Sequence, residues 1–142
     1  MTDINPHLFV YGSLLTAERN AMGERLRTEA TLVGAATFAG RLYQVSWYPG
    51  VIANSAAGDI VHGEVYRLGA PPATLVWLDG YEGVNTDATS VAECGEYIRV
   101  EAAVTVAGAA LTCWIYLYNR DVAGLTPVPS GHWADRENRM LG

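Results

Sequence analysis

The stretch Leu8-Phe9-Val10-Tyr11-Gly12-Ser13-Leu14-Leu15 decides the reading of this chain. Its apolar start reads as a short strand, His7 to Tyr11, that stops at a Gly-Ser turn. Thr16 then reads as a helix N-cap, and Ala17 to Arg27 is rich in helix formers apart from Gly23. A strand-to-helix turn leaves backbone N–H groups pointing into open space, where an anion or a polarised carbonyl can sit. Gly12, without a Cβ, lets the backbone come close to a ligand. Far along the chain, Leu78-Asp79-Gly80-Tyr81-Glu82-Gly83 sets a carboxylate between an aromatic and a glycine. A donor-rich loop plus one placed acid/base is a minimal active site.

A length of 142 residues fits one domain, expected over 1–142, and is enough to bury a real core. Half the residues are hydrophobic and 17% are charged, which argues against disorder. No apolar run approaches the roughly 20 residues that span a bilayer. Met1 to Pro6 has neither the basic region nor the apolar core of a secretory signal, so a cytoplasmic protein is the expectation. The net charge is −6, and all nine basic residues are arginines. The absence of lysine excludes a Schiff-base lysine, a phosphate-loop lysine and a lysine general base. The acidic balance, with no basic cluster, argues against nucleic acid as partner. Cys94 and Cys113 stand in no metal-type pair and read as free thiols.

Working outward, Ala30 to Tyr43 is β-like, with Gly34 and Gly40 as bulge or bend positions. Trp47 to Gly50 reads as a turn and Val51 to Ala53 as a short strand. Asn54 to Asp59 is a polar loop, and Ile60 to Leu68 alternates as a strand does. Pro71-Pro72 opens a short helix, Ala73 to Asp79, because proline is tolerated in the first helical turn. Val84 to Glu93 reads as an irregular loop. Glu96 to Val106 and Ala109 to Tyr118 form two strands joined by a hairpin at Ala107-Gly108. From Asn119 on, the Gly- and Pro-rich tail is expected to wrap the surface. Many short strands with Gly-marked bends and few helices point to an α+β chain built on a small mixed β-barrel.

Six pieces in order carry a resemblance. They are Val10-Tyr11-Gly12-Ser13-Leu14, Tyr48-Pro49-Gly50-Val51, Val61-His62-Gly63-Glu64-Val65-Tyr66, Leu78-Asp79-Gly80-Tyr81-Glu82-Gly83, Tyr97-Ile98-Arg99 and Trp114-Ile115-Tyr116. Together they resemble the γ-glutamylcyclotransferase-like superfamily, which includes the γ-glutamylamine cyclotransferases and AIG2-like proteins. The resemblance implies a small closed or nearly closed β-barrel with one or two flanking helices and a ligand cavity at one barrel end. It implies an enzyme that turns a small γ-glutamyl compound into 5-oxoproline and a free amine, with no cofactor and no metal. The alternative is a non-catalytic small-molecule-binding or interaction module on the same fold. A third option is a cyclotransferase-like lyase acting on a tailored biosynthetic intermediate.

On this resemblance Glu82 is the general base and acid: one carboxylate can take the proton of the attacking amine and return it to the departing one. The main-chain N–H groups of Gly12, Ser13 and Leu14, in the loop opened by Tyr11, would hold the α-carboxylate or the developing oxyanion. Tyr81, Tyr97 and Tyr116 would line the cavity, each with a rigid face and a hydroxyl. Pro49-Gly50-Val51 would form a second wall. Tyr97 and Arg99, two apart on a strand, share a face, and Arg99 is expected to brace an acid. Asp79 is expected to cap or hold the turn. Ser13 is not read as a nucleophile, since no Gly-x-Ser-x-Gly elbow is present. His7, His62 and His132 have no metal-type spacing. His132 follows Ser130-Gly131 where relatives often carry an acid, so no role is transferred to it. The Val84–Glu93 loop is expected to set the leaving group. An exposed Trp47 or Trp133 would mark an interface.

Overall fold

The computed structural model describes residues 4–12, 14–16, 18, 20–53, 58–84 and 95–136. The chain runs β1 (His7–Val10), α1 (Ala21–Glu29), β2 (Ala30–Gln44), β3 (Pro49–Ala53), β4 (Ile60–Leu68), α2 (Pro71–Glu82), β5 (Tyr97–Val106), β6 (Ala109–Tyr118) and β7 (Thr126–Pro127), with a 3₁₀ turn at Trp133–Asp135. Neighbouring strands follow β2-β4-β1-β6-β5, and β5 pairs back onto β2, closing a five-stranded barrel. The β1–β6 pair is parallel and the others are antiparallel, so the barrel is mixed.

Strand β2 is long, 15 residues, because it serves two sheets. Its first part pairs with β4 as far as Ala39↔Ile60; from Gly40↔Ala53 onward it pairs with β3 instead. Gly40 sits at the changeover, where a Cβ would come 2.6 Å from the Ile52 carbonyl oxygen. The ladder also shifts register between Leu32 and Gly34, as a bulge there requires.

Alternation along the strands divides the apolar residues between two cores. Phe9, Phe38, Val61, Val65, Val104, Cys113 and Ile115 fill the barrel. Leu8, Val10, Tyr66, Leu68, Tyr97 and Tyr116 face outward and meet Leu26 of α1 and Leu75 and Leu78 of α2. Each fully buried Leu contributes about 1.5–3 kcal/mol. The tail does more than wrap the surface: Val128 and Trp133 insert into the barrel core, and Trp133 is almost fully buried. Cys113 is a buried free thiol, and Cys94 lies outside the described residues.

Both helices differ from their expected bounds. The first starts at Ala21 behind Asn20, whose Oδ1 accepts the Gly23 N–H at 2.8 Å. Thr16 is occupied elsewhere: its N–H donates to Glu64 Oε1 (2.9 Å), and its hydroxyl lies 2.8 Å from the Tyr66 hydroxyl. The second helix does not stop at Asp79 but continues through Gly80 to Glu82. It ends on Gly83 at φ 74°, with Gly83 N–H donating to the Gly80 carbonyl and Val84 N–H to the Asp79 carbonyl at 2.9 Å. That paired closure needs a left-handed residue, which glycine supplies. Glu29 of α1 accepts from Thr74 Oγ1 (2.6 Å) and Trp77 Nε1 (2.9 Å), tying the helices together.

One carboxylate fastens α2 to the barrel wall. Asp79, 8% exposed, accepts from Arg99 Nε at 2.7 Å, from Arg99 Nη2 at 3.1 Å and from the Tyr116 hydroxyl at 2.7 Å. The Arg99 guanidinium also lies 4.4 Å over the Trp114 ring. Removing one partner of such a pair strands the other charge, so Asp79→Ala is expected to cost about 3–5 kcal/mol, read as a melting-temperature drop of roughly 10 °C or more. The β5–β6 hairpin supplies an opposite case. Its two-residue turn holds Ala107 at φ 51° and Gly108 at φ 81°, and alanine is strained there. Ala107→Asn, which tolerates that conformation, is expected to stabilise the chain by about 0.5–1 kcal/mol, measured as an upward shift of the urea midpoint.

Candidate active site

A cavity of about 240 Å³ opens between the end of β1, the segment before β3, the C-terminal end of α2 and the start of β5. Tyr11, Gly12, Leu14, Tyr81, Glu82, Tyr97 and Tyr116, all singled out in the sequence, line it. Ser13, between them, lies outside the described residues. The glycine at position 12 is sterically required: a Cβ would fall 2.4 Å from Pro49 Cγ, so the loop lies directly against the second wall. Gly50 itself does not line the cavity. It packs on Tyr118, whose Cγ a Cβ at position 50 would approach to 2.8 Å, and Pro49 supplies the wall.

Glu82 enters this cavity from the last turn of α2. Among the described residues no donor or cation reaches its carboxylate. Burial, and then the nearby charge of Glu96, push its pKa up to about 7. A carboxyl at that value is divided between its acid and base forms at neutral pH, which suits a proton shuttle.

The tyrosines form the wall, but their hydroxyl protons are committed internally. Tyr11 donates to the Tyr116 carbonyl (2.5 Å), Tyr97 to the Pro49 carbonyl and Tyr116 to Asp79. Burial raises the pKa of all three well above the usual tyrosine value, with the Glu82 charge adding to it. They therefore stay neutral and hold the cavity shape. Tyr116 is the link between the wall and Asp79, three residues before Glu82 on the same helix.

Phe9 and Val10 of β1 also line the cavity, as do three residues that the sequence reading gave no role there: Trp47, Tyr48 and Glu96. The Tyr48 hydroxyl donates to Glu96 Oε2 at 2.6 Å, and this bond, ahead of burial, pushes the Tyr48 pKa up to about 12. Trp47 packs edge-on against Tyr48 with ring centroids 5.1 Å apart and is 74% exposed at the rim. Their signal in the sequence was position alone: Tyr48 precedes Pro49-Gly50, and Glu96 precedes Tyr97-Ile98-Arg99.

The histidines lie elsewhere. His62 and His132 stack face to face, centroids 3.8 Å apart and planes 6° apart, beside a different cavity. Among the described residues no three His, Cys, Asp or Glu side chains group as metal ligands would. Nor is any helix among them long and apolar enough to cross a membrane. Residues 85–94, which carry most of the segment expected to set the leaving group, lie outside the described residues.

A family model described as gamma-glutamyl cyclotransferase, AIG2-like, matches residues 8–135. The γ-glutamylcyclotransferase family protein YtfP of Citrobacter rodentium is 37% identical over 131 residues, covering 92% of this chain and 96% of that protein. The gamma-L-glutamyl-butirosin B gamma-glutamyl cyclotransferase of Niallia circulans is 32% identical over 119 residues, covering 82% and 69%. Among solved structures, the solution structure of YtfP from Escherichia coli aligns with a TM-score of 0.62 at 34% identity, covering 91% of this chain and 96% of that one. A mouse AIG2-like protein shares the fold at a TM-score of 0.59 and 24% identity, covering 79% and 76%. The barrel with its two helices, the cavity at the β1 turn and these matches agree, and the chain belongs to the γ-glutamylcyclotransferase, AIG2-like family.

Proposed function

We propose that this chain is an enzyme that cyclises a small γ-glutamyl compound, releasing 5-oxoproline and a free amine in the cytoplasm. The observation that carries the reading is the Glu82 carboxyl, unpaired among the described residues and raised to about 7, facing a cavity bounded by the Tyr11–Leu14 loop. The relative from Niallia circulans, whose name states this kind of reaction, supports it.

The chemistry is intramolecular. The α-amine of the glutamyl part attacks its own γ-carbonyl carbon, and its proton passes to the Glu82 carboxylate. The tetrahedral oxyanion would be met by main-chain N–H groups of Gly12, Ser13 and Leu14. The γ-carbon–nitrogen bond then breaks, and Glu82 returns the proton to the leaving nitrogen. Atoms and charge balance without a further reagent. Holding amine and carbonyl in a near-attack shape supplies much of the rate, which is the part a rigid tyrosine wall performs. The acidic balance of −6 fits a small-molecule substrate rather than nucleic acid.

Glu82→Gln keeps the shape and removes the proton carrier. It is expected to lower 5-oxoproline release from a panel of γ-glutamyl amino acids and amines by about 10²–10⁴-fold, with the circular dichroism spectrum unchanged. Near-normal turnover by this variant would sink the assignment. The same variant has a stability signature. Folding raises the Glu82 pKa, so the native state keeps this proton to higher pH than the unfolded chain, and the group destabilises the fold increasingly from about pH 4.5 to about pH 7. Glu82→Gln is therefore expected to raise the melting temperature more at pH 8 than at pH 5.

The pH profile follows from the same shift. Deprotonated Glu82 is the form that accepts the amine proton, so kcat/KM is expected to fall tenfold per pH unit below about pH 7. Glu96→Gln removes the secondary cause of the shift and is expected to move that limb to lower pH. A limb that stays in place would show that the Glu96 charge takes no part in the shift and that burial alone sets it.

A further inference from the structure

Resting on the cyclotransferase reading, we infer that Glu64 is the positioning residue of the turn that meets the oxyanion, holding Gly12 and Leu14 in place from outside the cavity. Strands β1 and β4 run antiparallel, and Val10, the last residue of β1, stands opposite Glu64. The chain then turns, and the Leu15 N–H donates to the Gly12 carbonyl at 3.0 Å. At the exit of the turn the Glu64 side chain takes hold: its Oε1 accepts the Thr16 N–H at 2.9 Å and the Thr16 hydroxyl at 3.1 Å. One residue thus meets the turn at both ends, through the β-ladder at the entry and through its carboxylate at the exit. Bonds to an ionised acceptor restrain the exit more firmly than neutral ones would. With the Thr16 proton given to Glu64, the Tyr66 hydroxyl, 2.8 Å away, donates to Thr16 Oγ1 and adds a third tether from β4.

The turn also rests on the cavity wall, where a Cβ at position 12 would fall 2.4 Å from Pro49 Cγ. A steric contact of that kind limits approach but does not stop the turn from lifting away; hydrogen bonds to Thr16 do. Glu64 does not line the Glu82 cavity. It borders the groove beside His62 and His132, so it acts through the turn rather than on the reacting atoms. Small displacements matter here, because donors aimed at a developing oxyanion work only near hydrogen-bond distance, and a misplacement of about 1 Å can cost on the order of 10²-fold in rate. The oxyanion exists only on the way over the barrier. A loosened turn therefore lowers kcat and leaves KM nearly untouched.

The test measures kcat and KM for 5-oxoproline release, well below the melting temperature of every variant, on the γ-glutamyl amino acid or amine that the wild type turns over fastest. Glu64→Ala is expected to lower kcat about tenfold with KM within about twofold of wild type. Glu64→Gln keeps an acceptor for Thr16 and is expected to restore kcat to within about threefold of wild type. Thr16→Ala removes one of the two bonds to Glu64 and is expected to lower kcat about threefold; it decides the matter if Glu64→Ala does not fold. Ile115→Val, in the barrel core, is the stability control, with a lower melting temperature and an unchanged kcat. The inference is overturned by wild-type kcat in Glu64→Ala, or in Thr16→Ala where that variant decides. A rise in KM at unchanged kcat also overturns it, since the turn would then hold a group present in the ground state. A loss that Glu64→Gln does not rescue, or one that Ile115→Val reproduces, overturns it as well. These outcomes leave the cyclotransferase reading standing. Wild-type protein that releases no 5-oxoproline from any γ-glutamyl compound overturns that reading, and the role of Glu64 falls with it.

Discussion

The Asp79 carboxylate, held by both the Arg99 guanidinium and the Tyr116 hydroxyl, is the contact on which the site geometry depends. Leu75 and Leu78 of helix α2 add apolar packing against the same side of the barrel. Apolar packing tolerates small rotations of a helix, whereas a bidentate pair plus a third hydrogen bond does not. Glu82 follows Asp79 by three residues, so a helix pinned at Asp79 also sets where the Glu82 carboxylate enters the cavity.

The two acids show how environment alone assigns different work to similar groups. Asp79 is gripped by three donated hydrogen bonds and serves as an anchor. Glu82, one turn later, has none among the described residues, and burial next to Glu96 pushes it to about 7. The tyrosines sharpen the contrast. With the hydroxyl protons of Tyr11, Tyr97 and Tyr116 given to internal acceptors, these walls hold shape without exchanging protons near neutral pH. On the proposed reading, Glu82, with its pKa raised to about 7, is the wall group that would exchange one.

What the sequence made legible was local. The Tyr11-Gly12 turn, the Ala107-Gly108 hairpin and the alternation of β4 each depend on neighbours a few residues away, and each stands in the structure where its pattern placed it. The end of α2 was harder because Gly80 reads as a stop. It lies within the helix because tertiary packing of Leu78 and Asp79 overrides its propensity, and Gly83 terminates it. Asn20 was passed over as a cap because Thr16 offers the same chemistry earlier; Thr16 is taken by Glu64 and Tyr66, which lie about fifty residues away. Tyr48 and Glu96 were illegible for the same reason. They meet across 48 positions of sequence, and no short window contains both.

The residue after Ser130-Gly131 illustrates how far such a motif can be carried. His132 stacks on His62 of β4, while the Gly131 carbonyl accepts the His62 N–H at 2.8 Å and Trp133 plugs the barrel. Burial, and then His132, lower the His62 pKa, which favours the neutral form a close face-to-face stack requires. Gly131 sits at φ 74°, where a Cβ would lie 1.8 Å from the Ile60 carbonyl oxygen, so the tail is pressed against the strand edge. The contacts of Gly131 and His132 with Ile60 and His62 fasten the tail to β4, and neither histidine borders the Glu82 cavity. No role was transferred to His132 from the family pattern, and in the structure its flat ring serves as a packing surface for His62.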